Sequence, residues 1–319
     1  MIISYFNGFL KMFFCKKGPT ITKSKPLILL HFKIENKVSY GIMFVSILLC
    51  IWERKICMIL VTGASGFVGS KIMQMCENVV ACSSLRDITE YEIKRIIENS
   101  EVDTIIHTAA ISDIGVCQAN PNASYFANVE IPVFLAKASK NIKLICFSSD
   151  QVYSGANAEG PYTEDMAKPN NIYAEHKLEM EQRVLDIAPN SVMLRAEWMY
   201  DYYLKKSNYF MNVINAEDTL SFSSRQFRGI TYVKEVADNM KNVINLPGGV
   251  YNFGSETSKS MYDITKEFLN LIGKNISVED VEPRHNLWMN CEKARKSGVN
   301  FNSVEDGLKE CAKDYNFLK

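Results

Sequence analysis

Between residues 58 and 195 the chain alternates continuous apolar runs with segments whose apolar residues recur every three to four positions. The runs Ile59-Leu60-Val61, Asn78 to Cys82, Val102 to His107, Lys143 to Phe147 and Ser191 to Leu194 lack the alternation of a strand with one wet face, so they predict strands buried on both faces. The intervening segments read as helices. They run from Phe67 to Glu77, from Asp87-Ile88-Thr89-Glu90 onward with Thr89 as N-cap, and from Asn128 to Ser139. Ile93, Ile96 and Ile97 share a face in the second, and Ile131, Val133, Phe134 and Ala138 do so in the third. Such alternation predicts an α/β fold with a doubly wound parallel sheet. Beyond Leu194 the pattern turns irregular and rich in Tyr, Phe and Met, with helices expected at Phe210 to Ala216, Val233 to Ile244, Met261 to Ile272 and Val304 to Tyr315, and a strand at Val250 to Phe253. The aromatic stripe, Tyr200, Tyr202 and Tyr203 included, reads as core.

Residues 1–57 break this pattern. They hold nine Lys and Arg against Glu35 and Glu53, a Lys/Pro-rich patch from Lys16 to Pro26, and an apolar run from Ile42 to Trp52. Eleven residues fall short of the about 20 that span a bilayer as a helix, and Trp52-Glu53-Arg54-Lys55 offers no small-residue cleavage site. The segment is therefore expected to lie outside the fold, with membrane contact only if the run inserts. Met58 abuts the first strand and marks where the body begins.

Charge changes the picture once the extension is set aside. The chain balances 36 basic against 36 acidic residues, so the body carries 27 against 34 and is mildly acidic. That balance gives no electrostatic footprint for nucleic acid. Nine cysteines form no CxxC pair, and Cys82 and Cys146 sit within apolar runs, which points to reduced thiols and a cytoplasmic setting. His31, His107, His176 and His285 are scattered without metal-ligand spacing, so no metal is expected.

Chemistry enters at Leu60 to Gly69. Gly63, Gly66 and Gly69 follow the first strand at intervals of three, which suits a sharp turn, a close approach of backbone to a pyrophosphate, and a helix packed tightly on the sheet. The cradle comprises Gly63, Ser65, Gly66, Phe67, Val68 and Gly69, and the amides at the helix start face phosphate. The fold expected is therefore Rossmann-like, with a dinucleotide-binding domain over 58–195 and a smaller C-terminal substrate lobe over 196–319, from which 230–255 returns to the sheet. After the second strand stand Ser83, Ser84 and Arg86 where an NAD site places a carboxylate, so NADP(H) is favoured over NAD(H). Thr108, Ala109 and Ala110 are small enough to let the cofactor lie across the third strand end.

The fourth strand delivers Ser148-Ser149-Asp150 at its carboxyl end, and Tyr173 and Lys177 follow four residues apart. On a helix that spacing puts both on one face. A neighbouring ammonium favours the phenolate, so the Tyr173 pKa is expected to move down toward the working range. Tyr173 can then exchange a proton with a substrate oxygen that Ser149 holds, while a nicotinamide exchanges the hydride. Arg284 could pair with a diphosphate, since a guanidinium matches phosphate oxygens; an exposed loop Arg is the alternative.

From Met58 onward the chain resembles the extended short-chain dehydrogenase/reductases, and among them the dTDP-4-dehydrorhamnose reductase-like branch. The resemblance rests on Gly63 to Gly69, Asp87-Ile88-Thr89, Thr108-Ala109-Ala110, Ala127-Asn128-Val129, Ser149-Asp150, Pro161 to Asp165, Tyr173 to Lys177, Leu194-Arg195 with Trp198, and Thr231-Tyr232-Val233. It implies that Ser149, Tyr173 and Lys177 are catalytic, that Asp87 and Ile88 border the adenine, and that Asp150, Trp198 and Arg284 face a nucleotide-sugar. A homodimer is compatible with it. The implied reaction is reduction of a 4-keto nucleotide-sugar, with dTDP-4-dehydrorhamnose to dTDP-rhamnose the first choice. A nucleotide-sugar epimerase or a cofactor-binding regulatory subunit stand as alternatives. Four stretches depart from the branch: Phe67-Val68, Gln151 in place of an aromatic, Glu197 in place of a small residue, and Arg228-Gly229-Ile230 in place of a Gly-Ser-Pro-like turn. In the related 4,6-dehydratases an Asp-Glu pair follows the catalytic hydroxyl; Asp150-Gln151 has an amide there, which cannot act as the base for eliminating water.

Overall fold

The structure, a computed structural model, describes residues 57–202, 207–283 and 285–318. The extension up to residue 56, Tyr203 and Arg284 lie outside the described residues. Among the described residues, no helix is long and apolar enough to cross a membrane.

The first half builds β1 (Ile59–Thr62), α1 (Phe67–Met75), β2 (Val79–Ala81), α2 (Glu90–Glu98), β3 (Thr104–His107), the short α3 (Ile114–Ala119) and α4 (Pro121–Tyr125), α5 (Ile131–Ala138), β4 (Lys143–Ser149), α6 (Ile172–Ile187) and β5 (Val192–Ala196). Thr89 caps α2 as expected: its hydroxyl accepts from the Glu92 amide, and the Glu92 carboxylate accepts from the Thr89 amide at 2.9 Å. The helix expected over 128–139 is shorter. Pro132 has no N–H to give to the carbonyl a turn earlier, and the chain winds wider over Phe126–Glu130 before α5 begins.

The second half contributes β6 (Trp198–Tyr200), α7 (Tyr209–Asn215), β7 (Leu220–Phe222), β8 (Ile230–Tyr232), α8 (Val233–Val243), β9 (Gly249–Phe253), α9 (Met261–Leu271), β10 (Val278–Asp280), α10 (Glu292–Lys296) and α11 (Val304–Asp314). β9 pairs in parallel with β5, which completes a six-stranded, all-parallel sheet in the order β2-β1-β3-β4-β5-β9. Two parallel ribbons, β6 with β8 and β7 with β10, lie outside that sheet.

Period-two geometry sends alternate side chains of each strand to opposite faces. Ile59 and Val61 join Ile72 of α1 and Val236, Met240 and Val243 of α8 on one face, while Leu60 joins Ile93 and Ile97 of α2, Leu135 of α5 and Met180 of α6 on the other. Each such buried aliphatic contributes about 1.5–3 kcal/mol. A third cluster, with Tyr200, Phe210 and Tyr232 stacked at its centre, holds the ribbons against α9 and α11. Strand order reverses between β1 and β3, and in an open parallel sheet the carboxyl edge at that reversal is where ligands bind.

Candidate active site

At the reversal, the chain leaves β1 through Gly63, whose φ of +68° is left-handed and favours glycine. A Cβ on Gly63 would lie 2.7 Å from the Ala109 amide, and one on Gly69 would overlap the Gly63 carbonyl and come within 2.8 Å of Thr108 Oγ1. Thr108 in turn donates to the Thr62 carbonyl at 2.7 Å, so the small residues after β3 are tied to the glycine turn. Gly66 begins α1 with no side-chain cap and no acidic residue in the first turn. No side chain therefore takes up the amides and dipole at that end, which fits a bound pyrophosphate. Ser83, Ser84 and Arg86 are exposed just beyond the end of β2, and the chain turns there at Asp87 with φ +59°. Ile88 packs against the sheet core. These positions fit a dinucleotide laid across the edge. Replacing Gly69 with Ala is expected to lower stability by about 1–3 kcal/mol and to weaken binding of a nicotinamide dinucleotide together with it, read by thermal unfolding and cofactor fluorescence; a variant with unchanged values for both would refute the tight turn.

β4 carries Ser149 to the same edge, and α6 brings Tyr173 and Lys177 over it. Asn171 caps α6 by accepting from the Ala174 amide at 2.9 Å, which sets Tyr173 in the first turn. The Ser149 hydroxyl lies beside the Tyr173 phenol and acts to lower its pKa. Lys177 is buried, with Nζ 5.8 Å from the Tyr173 ring centroid and donating to the Phe147 carbonyl at 2.8 Å. The expected lowering of the phenol pKa is corrected here. Burial pushes Tyr173 well above a free phenol, outweighing the Ser149 hydroxyl, while burial brings Lys177 down to about 8. Burial thus favours the protonated phenol at neutral pH. His107, buried behind Lys177, shares a 2.7 Å hydrogen bond with Thr62 and is held neutral, its pKa lowered to about 3 by burial and then by the Lys177 charge. It has a structural partner and no role in proton transfer is assigned to it.

Beneath the site, Glu181, one turn after Lys177, ties α6 to β5. Arg195 grips it with Nε–Oε1 at 3.0 Å and Nη2–Oε2 at 2.7 Å, and the Ser148 hydroxyl also donates to it. The remaining guanidinium nitrogen donates to the Tyr153 hydroxyl and the Glu164 carbonyl. Its pKa is raised, the Glu181 hydrogen bonds and charge outweighing burial.

The far side of the site differs from the sequence reading. Asp150 is nearly fully buried and paired with Arg228, whose Nη2 donates to Oδ2 at 2.6 Å; Oδ1 accepts from Ser149 at 3.1 Å. Burial raises the Asp150 pKa against the opposing pull of Arg228 and, more weakly, His285. The Arg228 guanidinium lies 5.4 Å over the Trp198 ring. Arg228 and Glu197 had appeared in the sequence only as departures from a pattern. Their placement beside Asp150 and Trp198 could be suspected from the two departures, and the contacts themselves depend on folding. Arg284 cannot be placed, being outside the described residues.

The family model described as the RmlD substrate binding domain matches residues 57–315. The dTDP-4-dehydrorhamnose reductase of Aggregatibacter actinomycetemcomitans is 26% identical over 225 residues, covering 64% of this chain and 76% of that protein. The methionine adenosyltransferase 2 subunit beta of Xenopus tropicalis is 27% identical over 278 residues, covering 75% of this chain and 82% of that one. Among solved structures, a dTDP-4-dehydrorhamnose reductase from Bacillus anthracis in complex with NADP shares the fold with a TM-score of 0.70 at 21% identity, over 81% of this chain and 98% of its own.

Proposed function

Since the chain belongs to the RmlD substrate binding domain family of extended short-chain dehydrogenase/reductases, we propose that it reduces a 4-keto nucleotide-sugar with NADPH, dTDP-4-dehydrorhamnose being the substrate and dTDP-rhamnose the product. The observation that carries the reading is buried Tyr173 beside Ser149, with the Lys177 ammonium against its ring and anchored on the Phe147 carbonyl, at the edge where the glycine turn ends β1.

The nicotinamide, when bound, supplies the hydride to the carbonyl carbon. The Ser149 hydroxyl, released from Asp150 Oδ1, donates a hydrogen bond to the carbonyl oxygen and fixes its position. Tyr173 gives that oxygen its proton, so the ketone becomes a secondary alcohol as the cofactor is oxidised. The Lys177 ammonium, anchored on the Phe147 carbonyl, offsets the negative charge left on the phenolate oxygen. Exposed Ser83, Ser84 and Arg86 support NADPH over NADH, because hydroxyls and a guanidinium receive a 2′-phosphate. Seven free cysteines among the described residues support a reducing, cytoplasmic setting.

Purified protein incubated with NADPH and dTDP-4-dehydrorhamnose is expected to consume the two one for one, faster than with NADH. No consumption with any 4-keto nucleotide-sugar would overturn the reading, and cofactor retained through gel filtration in that case would point to an epimerase.

A further inference from the structure

Glu197 is an ionisable side chain in a place where apolar packing would be simpler. It directly follows β5 at the carboxyl edge, immediately before Trp198, and is 6% exposed. Two glycines make room for it. A Cβ on Gly229 would overlap Oε1 and Cδ, and a Cβ on Gly254 would overlap Oε2. The Thr231 hydroxyl accepts from the Ser255 amide at 3.0 Å and donates to Glu197 Oε2 at 2.8 Å. Among the described residues, Oε1 has no hydrogen-bond partner.

We infer that Glu197 is a positioning residue, a polar wedge under the Arg228-Gly229 turn that holds the Arg228 guanidinium on Asp150 and over Trp198. The kinetic part of its test rests on the reductase reading above. The wedge acts through backbone, since Gly229 lies directly against the carboxyl and Arg228 is the preceding residue. Arg228 then reaches Asp150 on one side and the Trp198 ring on the other.

Among the described residues, the charged and titratable groups near Glu197 are Asp150, Arg228 and Cys291. Burial raises its pKa to about 8. An uncharged carboxyl contributes volume and an oriented acceptor without competing with Asp150 for the Arg228 cation. A carboxylate in the same place would compete. Glutamine has nearly the same shape and no charge, so it can replace Glu197, whereas alanine removes the wedge and aspartate is a methylene too short.

Three variants read this out. Glu197→Ala and Glu197→Asp are expected to raise KM for the keto-sugar about tenfold, with kcat within about threefold and NADPH affinity unchanged. Glu197→Gln is expected to restore KM to within about twofold of wild type. In a crystal structure of Glu197→Ala, the 228–229 turn should close toward the vacated volume and the Arg228–Asp150 contact should open. Wild-type KM in the alanine variant, a glutamine variant as impaired as the alanine one, or an intact Arg228–Asp150 contact in that crystal structure would each overturn the proposal. If the wild type reduces no keto-sugar, the functional reading fails on its own, and the crystal structure still decides the wedge.

Discussion

Replacing Tyr173 with Phe should lower kcat by about 10²–10⁴-fold, the range that a positioned general acid supplies, while NADPH affinity and thermal stability stay near wild type. The ring remains packed against Lys177 in the buried pocket, so only the proton donor is lost. In the direction of reduction the phenol works protonated. Its raised pKa, due first to burial, keeps it so across the neutral and alkaline range. Lys177 sets the upper limit instead. Its pKa is lowered by burial to about 8, so the ammonium is present below that value and lost as pH rises through it. The rate at low sugar concentration should therefore fall above about pH 8, and Lys177→Met should remove that limb together with most of the rate. A Tyr173→Phe variant within threefold of wild-type kcat would refute the assigned proton donor.

Replacing Arg195 with Met should destabilise the protein by about 3–5 kcal/mol, because it leaves Glu181 buried without its counter-ion. The pair has 4% and 2% side-chain exposure, so water does not take over the lost contacts. Changing both partners, Glu181→Leu with Arg195→Met, should recover most of that loss, since no isolated charge then remains. Urea denaturation of the two variants separates these outcomes. A single variant within 1 kcal/mol of wild type would mean that Glu181 finds another partner. Because Glu181 sits one turn beyond Lys177, the single variant should also perturb the register of α6 over Ser149 and lower kcat.

What was legible in the sequence was local. The run into β1, the three-residue glycine spacing, Thr89 as the N-cap of α2 and the four-residue step from Tyr173 to Lys177 each lie within one element or one turn. β6 and β8 were missed. Each is three residues long, and they pair only with each other across a long stretch of chain, Trp198 opposite Ile230, so no window of sequence displays the pattern. The electrostatics of the site failed for a related reason. The sequence places an ammonium four residues from the phenol, but the turn of Lys177 Nζ toward the Phe147 carbonyl and the depth at which both groups are buried arise only when β4 and α6 pack. Arg228 lies 78 residues from the Asp150 it binds, a pairing that the fold alone brings about.

The late arrival of β9 bears on how the chain is made. As the polypeptide emerges from the ribosome, β5 pairs with β4 on one side and has its other edge bare until residues 249–253 follow. That edge is the sequence Val-Met-Leu-Arg-Ala, an apolar strand with unpaired amides and carbonyls, the kind of surface on which chains adhere to one another. A chain truncated between the two strands would carry β1 to β5 with an open adhesive margin, and is expected to self-associate where the full chain does not.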